Sequence, residues 1–281
     1  MSTDEAERYP GIAQAIRLLL LFLLLALVFG GVLGLVGGII GSPLHEQPEA
    51  LAAVNLAAAV CVFRRGLRKA KAPFAQVFPF TRFRLSLLVP MSLTVIAAFA
   101  LLSEMDNLLR TVLPMPSWCS DFFSDLVGGQ TSLWGSAVLL VVVAPLTEEL
   151  LFRGLILRGF LSRYTTRKAV VASALLFATA HLNPWQMPAA MVLGLLLAWW
   201  FLRTGSLLPC LFGHALLNAV PLLLNAVLHV EIRGLTGSPS GEVAFQPFWL
   251  DVAAAVVAGI GLWLLVRMFK GEAKAPAGGV V

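Results

Sequence analysis

Glu148, His181, His214 and Asn218 stand inside apolar runs that belong in lipid, with a second acid, Glu149, and a base, Arg153, beside the first of them. An ionisable group in a bilayer costs free energy unless it has a partner or a water-lined cavity, so it reads as functional. A carboxylate with a neutral imidazole can hold and deprotonate a water, and imidazole and amide N–H groups can stabilise a tetrahedral oxyanion. The chemistry open to this set is hydrolysis inside a membrane.

The two acids cannot serve one site equally. Pro145-Leu-Thr-Glu148-Glu149-Leu-Leu-Phe-Arg153 falls on a predicted helix, where adjacent side chains point about 100° apart. Glu149 and Arg153 are spaced i,i+4 with the acid N-terminal, the favourable order for an ion pair. Pairing them leaves Glu148 facing elsewhere without its own cation, a base able to take a proton from water. Pro145, one turn earlier, is expected to kink the helix and open room for water. The competing reading is a buried charge network that fixes helix packing.

Phe177 and His181 share one face of a later helix, and His214 and Asn218 one face of another. Singly, each histidine also suits a hydrogen-bonded packing role between membrane helices. Counting from the nearest flanking charge places Glu148 about 15 Å, His181 about 20 Å, His214 about 16 Å and Asn218 about 22 Å deep, so all four fall in one layer. Two histidines and one glutamate are also a catalytic zinc set. His-Glu-x-x-His is absent, however, and no carboxylate neighbours either histidine in sequence. The expectation is no cofactor, with zinc as the rival. His45 and His229, at loop edges, are expected bystanders.

Positioning these groups requires membrane helices. The chain is 59% apolar and only 12% charged, which places it among multi-spanning membrane proteins rather than soluble domains. About eight segments suit a crossing of about 20 residues: Ala13–Ile40, Ala50–Phe63, Leu85–Leu102, Leu133–Leu155, Ala169–Leu182, Met187–Leu202, Leu207–Val230 and Phe248–Phe269. The basic residues alternate between loops: Arg64 to Arg84 after the second segment, Arg158 to Lys168 after the fourth, Arg203 after the sixth and Arg267 to Lys274 after the eighth. The opposite loops are mainly acidic. Cytoplasmic loops carry the Lys and Arg excess, so both termini are expected in the cytoplasm and the charge serves topology, not nucleic acid. Arg64–Lys71 also suits anionic lipid headgroups. The first apolar stretch is too long for a signal peptide, and Asp4, Glu5 and Glu7 are the wrong lead-in, so it reads as a retained anchor. Cys61, Cys119 and Cys210 form neither a disulfide framework nor a metal-ligand spacing.

No repeat period is visible. Residues 1–132 read as scaffold helices with an outer loop, 133–230 as the core holding every singled-out group, and 231–281 as a second outer loop, the last span and a disordered tail from Lys274. Between Glu104 and Thr131 the expectation is an amphipathic surface segment or an ordered loop.

Glu-Glu-x-x-x-Arg (Glu148, Glu149, Arg153), Phe-x-x-x-His (Phe177, His181) and His-x-x-x-Asn (His214, Asn218), in this order on successive spans, resemble the type II CAAX prenyl endopeptidase and bacteriocin-processing family, also called CPBP or Abi. The resemblance covers about Leu133 to Pro221. It implies an all-α fold of about eight spans in a plasma membrane of bacterial type, and a metal-independent glutamic protease. Glu148 would activate water with help from His181, and His214 and Asn218 would form the oxyanion hole. The implied partners are membrane lipids and a peptide or protein substrate: a prenylated CAAX tail, a leader peptide or a C-terminal sorting tail. A non-catalytic immunity or scaffold relative and a proton-coupled transporter are the alternatives.

Overall fold

The computed structural model describes residues 9–128, 132–236 and 243–272, and within them the chain is an all-α polytopic membrane protein. The acidic start and the tail from Lys274 lie outside the described residues. In chain order, leaving aside the single turn Phe74–Val77, the helices are α1 (Ile12–Ile40), α2 (Pro48–Ala70), α3 (Leu88–Val112), the short α4 (Ser117–Gly128), α5 (Leu133–Leu161), α6 (Thr166–Ala180), α7 (Met187–Thr204), α8 (Leu208–Val227) and α9 (Phe248–Glu272). All of these but α4 and α6 are long and apolar enough to cross a membrane, seven among the described residues. The remaining expected span, α6, is a helix of 15 residues, about 22 Å long.

Local chemistry sets the boundaries. Proline in the first turn opens α2, where its missing N–H costs nothing. α2 then continues through Arg68 and Lys69 and stops at Lys71, whose left-handed φ of 48° lets its N–H reach the Leu67 carbonyl. The second span is thus longer at its basic end than Ala50–Phe63, because arginine and lysine are good helix formers. α3 runs ten residues past the expected Leu102. Its polar end is held by Asp106 to Arg110, an i,i+4 ion pair of 2.7 Å, and by Asn107 donating to the Gly234 carbonyl at 2.6 Å. Pro114 follows and the helix cannot continue. Within the expected outer loop, α4 is an amphipathic helix: Leu126 packs with Ala52, Leu139 and Val143, while Trp118 is exposed.

Packing follows small residues where backbones must approach. α3 and α9 meet through Ala97, Ala100 and Ala254, and a Cβ added at Gly261 would lie 2.5 Å from Thr94 Oγ1. The main core surrounds the second half of α5, where Leu150 to Leu157 are all buried, as befits a helix enclosed by others. α1 is the opposite case. Ala15, Leu18 and Leu19 are buried, while Leu24, Leu27, Leu35 and Ile39 are exposed along its farther part.

Candidate active site

α5 is not a uniform helix. Val138–Val143 and Leu150–Leu157 are wound as π-helix, and the α-helical turn Ala144–Glu149 lies between them. π turns pair each carbonyl with the N–H five residues on; the first segment ends with the Ala144 N–H on the Leu139 carbonyl. The next bond of that register would run from residue 145 to the Leu140 carbonyl, and Pro145 has no N–H. Asn218 Nδ2, from α8, donates to that carbonyl at 2.9 Å. The expected effect of Pro145 thus takes the form of a change of winding, and it is answered by a side chain from another helix.

The turn between the π segments carries both acids. Glu149 is fully buried, and Arg153 Nη1 donates to its Oε1 at 2.8 Å. Arg153, equally buried, also donates to the Gly194 carbonyl at 3.3 Å and lies 4.6 Å from the Phe177 ring centroid. Gly194 also lets α7 come close to α6: a Cβ there would sit 3.0 Å from Ala174 Cα. His214 Nδ1 lies 2.7 Å from the same Glu149 oxygen. An ionised carboxylate only accepts, so the imidazole donates through Nδ1.

Glu148 points away from that pair, with its side chain a quarter exposed. Its Oε2 lies 3.8 Å from His214 Nε2 and 4.0 Å from His181 Nε2, and among the described residues no group hydrogen-bonds to it. Separations of this size are those a bridging water spans. His181 ends α6. Its Nδ1 donates to the Phe177 carbonyl at 2.9 Å, while its backbone N–H turns to Ala178. A carbonyl oxygen only accepts, so Nδ1 carries the proton and Nε2 of the neutral ring is an acceptor. Phe177, buried, sets its edge or face against both histidines, with centroids 5.0 Å from His181 and 5.7 Å from His214. A cavity of about 70 Å³ adjoins these groups, lined by Leu19, Phe22, Thr147, Glu148, Leu151 and His181 among others. That is room enough for water beside polar partners.

The structure therefore brings Glu148, His181 and His214 together, with Glu149, Arg153 and Phe177 behind them. One of Asn218's two amide hydrogens is committed to α5. His229 is exposed in the turn after α8, and His45 falls in the turn Leu44–Glu46. Among the described residues no group of three His, Cys, Asp or Glu is arranged to hold a metal ion. Sequence reasoning missed Leu19 and Phe22, which bring α1 to the cavity, and Asn55, whose Oδ1 lies 2.7 Å from Thr147 Oγ1 and ties α2 to the acid-bearing turn. The available signal was an amide standing alone between Leu51 and Val62.

Residues 130–220 match the family model Rce1-like, described as type II CAAX prenyl endopeptidase Rce1-like. No curated protein and no solved structure matches the chain. The matched stretch contains all seven motif residues and supports, in general terms, an intramembrane protease of the CAAX type. Over residues 130–220 the chain is thus similar to the Rce1-like type II CAAX prenyl endopeptidases, in keeping with the resemblance its three motifs show.

Proposed function

We propose that this protein is an intramembrane endopeptidase in which Glu148 activates the attacking water. The observation that carries the reading is Glu148 Oε2 lying between His181 Nε2 and His214 Nε2, at 4.0 and 3.8 Å, beside a small cavity within apolar helices. His181 accepts one hydrogen of the water through Nε2, its ring held by the Phe177 carbonyl. Glu148 takes the proton as the water oxygen bonds to the scissile carbonyl carbon, and later gives it to the departing amine.

His214, its Nδ1 held by Glu149, and the second amide hydrogen of Asn218 are the groups assigned to the developing oxyanion. Arg153 offsets the charge of Glu149 at the buried pair behind them. The substrate is a peptide segment of a membrane-associated, leader-, tail- or lipid-bearing protein. The loop charges support an orientation with both termini cytoplasmic.

The test compares membrane proteins from cells making the wild type with those from cells making Glu148→Gln, by profiling newly formed peptide ends. Cleavage of a farnesylated CAAX-tail peptide by the purified proteins is measured alongside. Ends that vanish with Glu148→Gln, in a protein of unchanged melting temperature, support the mechanism. Full cleavage by the purified Glu148→Gln protein removes it.

A further inference from the structure

The outward stripe of α2 changes chemistry along its length. Leu56, Val60 and Cys61 are exposed, and one turn further the exposed positions become Arg64, Arg65, Arg68 and Lys69. These steps of three and four residues keep all seven side chains on one side of the helix. The buried positions between them, Ala58, Ala59, Val62, Gly66 and Ala70, face the rest of the protein. The four cations and Cys61 line an open depression of about 470 Å³. Among the described residues none of the four has a carboxylate within ion-pair distance. Elsewhere the chain does pair its helix charges, as at Asp106 with Arg110 and Glu149 with Arg153.

We infer that this stripe is a binding site for an anionic phospholipid, its phosphate held by Arg64, Arg65, Arg68 and Lys69 and its acyl chain lying along Val60 and Leu56. Three of the four cations are arginines, whose planar fork matches phosphate oxygens in pairs. Membrane topology asks only for positive charge in the loop. It does not ask that four cations share one face directly beyond an exposed apolar surface, and a phospholipid does, because its head and tail are joined at that boundary.

The purified full-length protein in a neutral detergent is titrated with phosphatidylglycerol, phosphatidylcholine and inorganic phosphate while its melting temperature is followed. Phosphatidylglycerol is expected to raise the melting temperature by several degrees, and the other two to leave it within a degree. Arg64→Gln combined with Arg65→Gln keeps Arg68, Lys69, Lys71, Arg82 and Arg84 in the same connection, so insertion is retained. This variant is expected to lose most of the phosphatidylglycerol shift. Equal shifts with phosphatidylcholine, or an undiminished shift in the double variant, overturn the site. An equal shift with inorganic phosphate overturns the lipid assignment. Should the double variant melt lower without any lipid, native mass spectrometry of bound lipid decides. The wild type is expected to retain phosphatidylglycerol over phosphatidylcholine and the variant to show no preference; a variant that keeps the preference overturns the site.

Discussion

Asn218 Nδ2 donates to the Leu140 carbonyl, the position in α5 where Pro145 offers no backbone donor. The amide and the proline are therefore coupled across two helices. Asn218→Ala leaves the carbonyl unsatisfied and is expected to destabilise the protein by about 1 kcal/mol, the usual scale for an interhelical hydrogen bond in a membrane. Pro145→Ala restores an N–H. In that background Asn218→Ala is expected to cost much less, which a double-mutant cycle on unfolding in detergent reads as the coupling. Strictly additive losses would mean that the two residues act independently.

Glu148 and Glu149 differ in burial and partners, so the same truncation should separate them. Glu149→Ala strands a buried arginine and removes the acceptor of His214; a loss of about 3–5 kcal/mol is expected from breaking such a pair. Glu148→Ala removes a partly exposed acid without a hydrogen-bonded partner at Oε2 and should stay within about 1 kcal/mol of the wild type. Equal drops in melting temperature would reverse the assignment of the ion pair.

Phe177 touches both histidines and the Arg153 guanidinium. Phe177→Leu keeps an apolar group there but frees both rings to shift. A misplacement of about 1 Å typically costs on the order of 100-fold in rate, so kcat should fall roughly 10- to 100-fold while KM stays within about threefold. An unchanged kcat would show that the ring contacts do not position the histidines.

The proposed reaction needs only side chains. Cleavage is expected to persist after prolonged treatment with 1,10-phenanthroline and EDTA and to gain nothing from added zinc. Activity lost on chelation and restored by zinc would replace the glutamate mechanism with a metal one, with Glu148, His181 and His214 as the first ligands to test.

The Glu149–Arg153 pair was legible in the sequence because helical spacing is a local property. The meeting of Glu148 with two distant histidines was legible through depth, since polar groups in lipid gather in one layer. The winding of α5 was not. A π turn adds one residue to a helix and leaves no mark in a run such as Val138–Val143, where every residue is apolar. The length of α3 was misjudged because Glu104, Asp106 and Arg110 look like loop residues until their partners are known. The end of α6 was equally hidden: His181 stops it with its own ring, taking the Phe177 carbonyl, and Leu182 follows at a φ of 51°.

That early stop has a consequence for the surrounding lipid. A helix of about 22 Å is shorter than a hydrocarbon layer of about 30 Å, and a bilayer that thins to meet it would dimple beside α6. Such a dimple would bring headgroups and solvent down toward His181 at the helix end. Thicker membranes resist that deformation, so lengthening the acyl chains around the reconstituted protein should slow cleavage with no change in the protein itself.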